Sequence, residues 1–253
     1  MKLRNSRLLA VAAFVCGGLA SAQALAQNAY ITNNGMSTVL IGDTVSVIDT
    51  ATNTVTATIN VGIAPAGVAV SPDGSKVYVT TGGGVSVIAT ANNAVTKITD
   101  PSFIGPIGVA VTPDSSKVYV ANNAGNTVSV IATATNAVTK ITDPSFTSLD
   151  GVAVTPDGSK VYVTSFDGNS VSVIATANNA VTKIADTSFN CPVAFGVFII
   201  RPSFAGTPGF SNCVGQSVSG LALRFGGLSA AAAALGFPSV PALQKAVTAF
   251  CGG

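Results

Sequence analysis

The sequence predicts an all-β fold built from repeated units of four short strands, followed by a small helical region. The stretch at 151–164, GVAVTPDGSKVYVT, recurs in close copies at 67–80 and 108–121. Each copy is followed by VSVIAT, an asparagine-containing turn and VTKI. Runs rich in β-branched residues that alternate with polar ones are typical of strands, and their recurrence as copies points to a repeat architecture.

Each unit contains two hairpins. GVAV and KVYV flank TPDGS or TPDSS, a turn in which proline presets φ, aspartate hydrogen-bonds its own backbone and glycine accepts a positive φ. VSVI and VTKI flank the asparagine-containing turn of the second hairpin. Four short strands in about 43 residues indicate one blade of a β-propeller rather than part of a sandwich, whose strands do not repeat as copies.

The propeller is predicted over 27–202. The first unit, at 28–62, lacks a GVAV strand, and AFGVFIIRP at 194–202 reads as one inner strand with no hairpin after it. With the three complete units, the predicted strands suffice for about four blades. The last strand is therefore expected to complete the first blade, which would close the ring and remove open sheet edges.

The series KVYVT, KVYVA and KVYVT, with VSVI and the proline–aspartate turn, resembles the YVTN β-propeller repeat family of secreted bacterial and archaeal proteins. The resemblance covers about 29–202. Family members usually have larger rings, so two arrangements stay open for this short chain: a closed four-bladed monomer, or a homodimer that completes a larger ring. The resemblance also permits DNA binding, because some relatives are thought to bind nucleic acid.

Residues 1–26 are predicted to be a secretory signal peptide. Lys2, Arg4 and Arg7 precede an apolar run, and 24–26 read ALA, an A-x-A cleavage site. The apolar run is shorter than the roughly 20 residues of a spanning helix, so no membrane span is expected after cleavage, which we place after Ala26. The mature protein is expected in the periplasm or outside the cell.

Residues 203–253 are expected to form a helical C-terminal domain. Apolar residues recur at helical spacing over 218–225 and over 240–250, with Ser239 as the N-cap of the second of these helices. The alanine-rich stretch 229–235 predicts a short helix between them. A region this small is close to the lower limit for a self-standing core.

Three cysteines remain after removal of the signal peptide: Cys191, Cys213 and Cys251. Outside the cytoplasm such residues form disulfides. Cys213 and Cys251 flank the predicted helices, so we expect a bond between them that ties a weak core. A bond between Cys191 and Cys213 is the alternative, and the state of Cys191 stays open.

Composition excludes several classes of site. The chain has no histidine, no tryptophan and, among its acidic residues, only aspartate. A Ser-His-Asp triad, an imidazole zinc site and histidine-ligated haem are therefore excluded, and neither a cofactor nor a metal is predicted. The mature chain is nearly neutral and so lacks the basic surface that nucleic-acid binding proteins use, which argues against that role.

Charged residues that recur in every unit are interpreted as structural, because one active site does not need the same group in each blade. They are the turn residues Asp73, Asp114 and Asp157, the lysines after them, Lys76, Lys117 and Lys160, and the charge pairs expected at the ends of the outer strands, Lys97 with Asp100, Lys140 with Asp143 and Lys183 with Asp186. The equally repeated tyrosines at 78, 119 and 162 are expected to pack between blades with their hydroxyls bonded.

Function is therefore sought where the copies differ. In a propeller, the loops before the inner strands and the loops between second and third strands share one face. The outliers on that face are Asp150, Phe166, Asp167 and Asn169, joined by Phe103 and Phe146 of the DPSF segments. We expect a shallow pocket with one or two carboxylates. Residues 167–169 could also donate oxygens to calcium, although the ligand series of an EF-hand is missing.

The sequence favours a secreted, non-catalytic propeller that acts as a binding or scaffold module and presents its variable face to a protein or glycan. No catalytic residue is assigned. The alternative is a periplasmic propeller enzyme, lactonase-like or lyase-like, that uses aspartate and a metal. DNA binding ranks third.

Overall fold

The computed structural model describes residues 27–35, 42–194, 199, 218, 221, 228–235 and 237–251. The predicted signal peptide lies outside these residues. So does almost all of the strand predicted at 194–202.

The strands form four antiparallel sheets in which each strand pairs with its neighbour in the chain. Sheet 1 contains β1 (Asn28–Asn33), β2 (Thr44–Asp49) and β3 (Thr54–Asn60). Sheet 2 contains β4 (Val68–Val70), β5 (Lys76–Thr81), β6 (Gly84–Ala89) and β7 (Val95–Ile98). Sheet 3 contains β8 (Pro106–Val111), β9 (Lys117–Asn122), β10 (Thr127–Ala132) and β11 (Val138–Thr142). Sheet 4 contains β12 (Leu149–Val154), β13 (Lys160–Ser165), β14 (Ser170–Ala175) and β15 (Val181–Ala185).

The predicted hairpins are confirmed in all three complete units. GVAV pairs with KVYV, and VSVI pairs with VTKI. In each outer hairpin one asparagine adopts the left-handed conformation that tight turns require. These residues are Asn53, Asn93, Asn136 and Asn179, with φ between 55° and 60°.

The hydrophobic core lies between successive sheets. Tyr30 of sheet 1 belongs to one cluster with Val77 and Val79 of sheet 2, and Tyr119 of sheet 3 belongs to another with Val161 and Val163 of sheet 4. Tyr78 likewise belongs to a cluster with Val118 and Val120 of sheet 3, so the expected packing between units is confirmed for Tyr78 and Tyr119, whereas Tyr162 is half-buried and belongs to none of these clusters. The expectation that the tyrosine hydroxyls are bonded is wrong for Tyr119, whose hydroxyl is buried without a hydrogen-bond partner among the described residues.

Neighbouring sheets are also joined by a threonine that follows the tyrosine in the second strand. The backbone N–H of Gly67 donates to Thr80 Oγ1 at 2.8 Å, and the same hydroxyl donates to the carbonyl of Ile107 in the next sheet, also at 2.8 Å. In sheet 4, Gly151 donates to Thr164 Oγ1 at 2.8 Å. At both positions the threonine hydroxyl bonds the inner strand of its own sheet. At Thr80 it also bonds the inner strand of the following sheet.

Glycine is required at the start of each inner strand, because the backbone of the next unit passes directly over it. A Cβ added at Gly67 would lie 2.2 Å from the Ile107 carbonyl oxygen, and one at Gly108 would lie 2.3 Å from that of Asp150. At Gly151 the corresponding atom is the carbonyl oxygen of Ala194, at 1.7 Å. The stacking of inner strands thus continues past sheet 4 as far as Ala194.

The two ends of the row of sheets keep apolar residues exposed. Ile31 of sheet 1 is 49% exposed, whereas Val79 at the same position of sheet 2 is fully buried. Ile184 of sheet 4 is 40% exposed, whereas Ile98 at the same position of sheet 2 is 5% exposed. The faces that pack together inside the row are therefore partly open at both ends.

The C-terminal region contains α1 (Leu228–Ala234) and α2 (Val240–Cys251), near the predicted bounds. The backbone N–H of Ala242 donates to Ser239 Oγ at 3.3 Å, which confirms the predicted N-cap. Leu243 and Val247 of α2 pack with Phe237 and other apolar residues in a separate small core. Of the helix predicted at 218–225, Val218 and Leu221 are described, and both are helical. Among the described residues we find no helix with the length and apolar character of a membrane span.

Candidate ligand-binding face

The repeated turn aspartates are held by hydrogen bonds from their own hairpins. Asp114 accepts from Thr112 Oγ1 at 2.6 Å and from the N–H and hydroxyl of Ser116 at 3.1 and 2.8 Å. These bonds, led by that of Thr112, lower the pKa of Asp114 below its ordinary value. For Asp157 burial acts in the opposite direction, but bonds from its own hairpin outweigh it and the pKa is again lowered. The turn aspartates thus act within the fold.

The expected pairing of an outer-strand lysine with the aspartate of its own unit is not found for Lys97 and Asp100. No ion pair joins Lys97 to Asp100 among the described residues, and the charge that acts on Asp100 is that of Lys140 in the next sheet. The pKa of Asp100 is lowered mainly by hydrogen bonds from Ser102 and further by Lys140. The segment after β7 therefore lies near the next sheet, which it contacts through the hydroxyls of Ser102 and Ser129, 2.8 Å apart.

Two of the predicted site residues lie in the packing between sheets. Phe146 is 4% exposed and belongs to the core cluster between sheets 3 and 4. Phe103 is half-buried against the cluster between sheets 2 and 3, and its ring would lie 3.4 Å from a Cβ at Gly84. Neither ring presents an exposed surface like that of Phe166.

The other four predicted residues lie at one end of sheet 4. The backbone N–H of Phe166 donates to the carbonyl of Ser148 at 3.1 Å, which joins the loop after β13 to the residues before β12. The Ser148 hydroxyl donates to the Asp167 carboxylate. Phe166 is 36% exposed and Asp167 is exposed. Asp150 follows Ser148 by two residues and belongs to β12, so it lies at the same end of sheet 4 as Phe166 and Asp167.

Asn169 has a structural partner that its position in the sequence did not reveal. Its side-chain oxygen accepts from the backbone N–H of Cys191 at 2.7 Å. Asn126 makes the same bond one unit earlier, to the N–H of Ser148 at 2.7 Å. Both asparagines have positive φ, 44° and 49°. The repeated geometry identifies Asn169 as a link between consecutive units, with its amide oxygen already engaged.

Asp150 is the acidic residue whose environment differs most from the others. Its side chain is half-buried, and no hydrogen bond or ion pair to a described residue stabilises its carboxylate. Burial raises the pKa of Asp150 above its ordinary value. Perturbed carboxyls of this kind are concentrated at functional sites, although structural causes exist as well.

The donor set of this face does not resemble a calcium loop. Asp167 accepts from Ser148, and Asn169 accepts from Cys191. In the described part of the chain, no three histidine, cysteine or acidic residues come close enough together to hold a metal ion. Calcium prefers six to eight oxygen ligands, a number far larger than these residues offer.

Ser148 was not predicted from the sequence. It occupies the position of Ala64 and Gly105, and all three have positive φ, between 46° and 62°. A serine at a left-handed position is uncommon. The signal in the sequence that could have identified Ser148 was that the three copies carry different residues at this position. Its hydroxyl donates to the Asp167 carboxylate, and its backbone N–H donates to the Asn126 side-chain oxygen. Its carbonyl accepts from the N–H of Phe166.

The predicted bond between Cys213 and Cys251 falls on residues whose side chains the structure does not describe. Cys191 is described, and it is a free, exposed cysteine.

No protein-family model matches the sequence, and no curated protein matches it either. Solved structures do. Virginiamycin B lyase from Staphylococcus aureus matches with a TM-score of 0.50 and 16% identity over 58% of this chain and 50% of that chain. A functionally unknown protein from Desulfotomaculum acetoxidans matches with a TM-score of 0.53 and 20% identity over 65% of this chain and 54% of that chain.

This chain thus spans about half the length of these solved structures. At such low identity the likeness shows the fold alone. Together with the four antiparallel sheets in chain order, it shows that the chain has an all-β propeller fold with helices at its C-terminal end.

Proposed function

We propose that the protein is a non-catalytic binding or scaffold module exported to the periplasm or cell exterior, and that it binds its ligand through the face formed by Asp150, Phe166 and Asp167. The predicted signal peptide at 1–26 motivates the compartment. The exposed Phe166, which adjoins Asp167 in a loop that Ser148 holds, motivates the site and is the observation that carries the proposal; Asp150 is included because it lies at the same end of sheet 4.

The chemistry of this face favours a glycan, with a protein loop as the second class of ligand. An exposed aromatic ring offers a flat apolar surface, and carboxylate oxygens accept hydrogen bonds from hydroxyl or amide groups. The corresponding loops of sheets 2 and 3, 82–83 and 123–126, contain only glycine, alanine and asparagine. The combination of ring and carboxylate is therefore confined to sheet 4 among the three complete units.

Binding to a defined glycan array tests the proposal. We expect the parent chain to bind a subset of glycans, and both Phe166→Ala and Asp167→Asn to reduce that binding at least about tenfold, a loss of about 1.4 kcal/mol. Asp157→Asn is the matched control, because it changes a turn aspartate of the same sheet. Equal losses in all three variants would contradict the assignment of the face. If the parent binds no glycan, the same variants are compared against an array of peptides.

The enzyme alternative, lactonase-like or lyase-like, rests on fold analogy alone. It is tested with a panel of lactones and with virginiamycin B, the compound named in one of the similar structures, in the presence of calcium or magnesium. We expect no turnover. Turnover that Asp150→Asn abolishes would overturn the binding role.

We further propose that the ring is completed by a second copy of the chain. The half-exposed Ile31 and Ile184 support this, because the same positions are buried wherever two sheets meet. Closure of one chain by the strand predicted at 194–202 is the competing arrangement, and the position of Ala194 over Gly151 supports the start of such a strand. The mass of the mature protein in solution decides. A dimer that Ile31→Asp dissociates supports the shared ring, and a monomer overturns it.

A further inference from the structure

A second candidate site lies between sheets 1 and 2, far in sequence from the face of sheet 4. It is an open cleft of about 330 Å³ between the segment after β3 and the edge of sheet 2. Gly62 and Ile63 form one side, and Ser86, Lys97 and Ile98 contribute to the other. The cleft therefore combines apolar walls with one cationic side chain.

The cleft coincides with a two-residue deletion in the repeat. Gly67 follows Ile59 by eight positions, whereas the corresponding inner-strand glycines of sheets 3 and 4 follow the matching isoleucines by ten. The segment in question joins the outer strand of one sheet to the inner strand of the next. Both of its ends can be aligned with those of the later units by structure. Near its inner-strand end stand Ala64, Gly105 and Ser148, all with positive φ.

Serines of the third strands fix the other end of the alignment. Ser86 Oγ donates to the carbonyl of Val61 at 2.6 Å. One sheet later, the hydroxyls of Ser129 and Ser102 lie 2.8 Å apart. Val61 therefore occupies the position of Ser102. The residues missing before it are an aspartate and a proline, which the later segments retain at 100–101 and 143–144.

The deletion leaves a lysine without its acidic neighbour. Lys97 pairs with Ser86 in sheet 2 as Lys140 pairs with Ser129 in sheet 3. Lys140 lies near enough to Asp100 for its charge to act on that carboxylate. Lys97 has no hydrogen bond or ion pair with a described residue, and its Nζ would lie 3.3 Å from a Cβ at Gly62.

We propose that this cleft is a binding site for an Asp-Pro segment of a partner protein. The aspartate carboxylate would pair with the Lys97 ammonium, as Asp100 lies near Lys140, and the proline ring would contact the apolar wall at Ile63 and Ile98. The other segments of the same chain are thus the template for the aspartate, whereas their own prolines, Pro101 and Pro144, are exposed and the proline contact is part of the proposal alone.

The probe is the peptide acetyl-Thr-Asp-Pro-Ser-Phe-amide, which reproduces 99–103. We expect saturable binding to the full mature chain in an NMR titration, with shifts at Ile63 and Thr99. Replacing aspartate by asparagine in the peptide should weaken binding at least about fivefold, and so should Lys97→Met in the protein. Added salt should weaken binding because one partner charge is exposed.

Lys140→Met is the matched control, because it removes the corresponding lysine of a segment that already contains its aspartate. It should leave peptide binding unchanged. Insertion of Asp-Pro between Asn60 and Val61 should abolish binding, since the chain would then fill its own cleft. Absent binding, equal binding of the asparagine peptide, or equal losses in Lys97→Met and Lys140→Met would each overturn the proposal. None of these outcomes affects the glycan test, which concerns a different face.

Discussion

The hairpin turns and the face of sheet 4 place the same side chain in opposite environments. Asp114 accepts three hydrogen bonds from its own hairpin, and its pKa is lowered. Asp150 is half-buried without a bond from a described residue, and its pKa is raised. The comparison shows that an aspartate copied from unit to unit serves the fold. At Asp150, where the copies differ, no hydrogen bond from a described residue offsets the burial of the carboxylate.

The largest expected effect concerns the close approach of inner strands. Gly108→Ala would place a Cβ 2.3 Å from the carbonyl oxygen of Asp150, and backbone cannot move aside cheaply. We expect the free energy of unfolding to fall by about 2–3 kcal/mol in urea titrations. Gly83→Ala is the control, because no atom lies within 4 Å of its Cβ position, and it should change stability by less than about 0.5 kcal/mol. Similar values for the two variants would contradict the packing described.

The next effect concerns the turn aspartates. Asp114→Ala removes the acceptor of Thr112 and Ser116 and should cost about 1–2 kcal/mol at pH 7. A lowered pKa means that this contribution is present above the unfolded pKa of about 3.9 and is lost as the pH falls through the folded pKa. Chemical unfolding at a series of pH values should therefore show the two proteins converging in acid. A difference that stays constant with pH would be inconsistent with the ionised acceptor.

The smallest effect is a gain in stability. Ala121 occupies the position of Thr80 and Thr164 and lacks their hydroxyl. Ala121→Thr should restore the bond from the N–H of Gly108 and the bond to the carbonyl of Asp150, and it should stabilise the fold by about 0.5–1 kcal/mol. Ala121→Val has the same shape without the hydroxyl and should not reproduce the gain. Equal thermal midpoints for both variants would show that the hydroxyl contributes nothing.

The local structure was predictable because its causes are local. The proline–aspartate turns, the asparagine turns and the N-cap at Ser239 each depend on side chains within a few residues, so the sequence alone was sufficient. The repeat also indicated correctly that the turn aspartates serve the fold.

The contacts between units were less accessible from sequence. Whether Phe146 faces solvent depends on how sheet 4 packs against sheet 3, and the link from Asn169 to Cys191 spans two units. Lys97 lacks an acidic neighbour because the segment between β3 and β4 is two residues shorter than the later ones. This is recognised only when the segments of the three units are aligned in space. These features depend on the arrangement of sheets, which residue patterns within one unit do not encode.

The central claim is tested most directly by the stability of Asp150→Asn. Because burial raises the pKa of Asp150, the ionised form should disfavour the folded state at pH 7, and this penalty should disappear as the pH falls below the unfolded pKa of about 3.9. Urea titrations at both pH values should therefore show the variant at least as stable as the parent at pH 7, by no more than about 0.5 kcal/mol, and equal to it in acid. A loss of more than about 1 kcal/mol at pH 7 would mean that Asp150 is a structural residue like the turn aspartates, and would contradict the account.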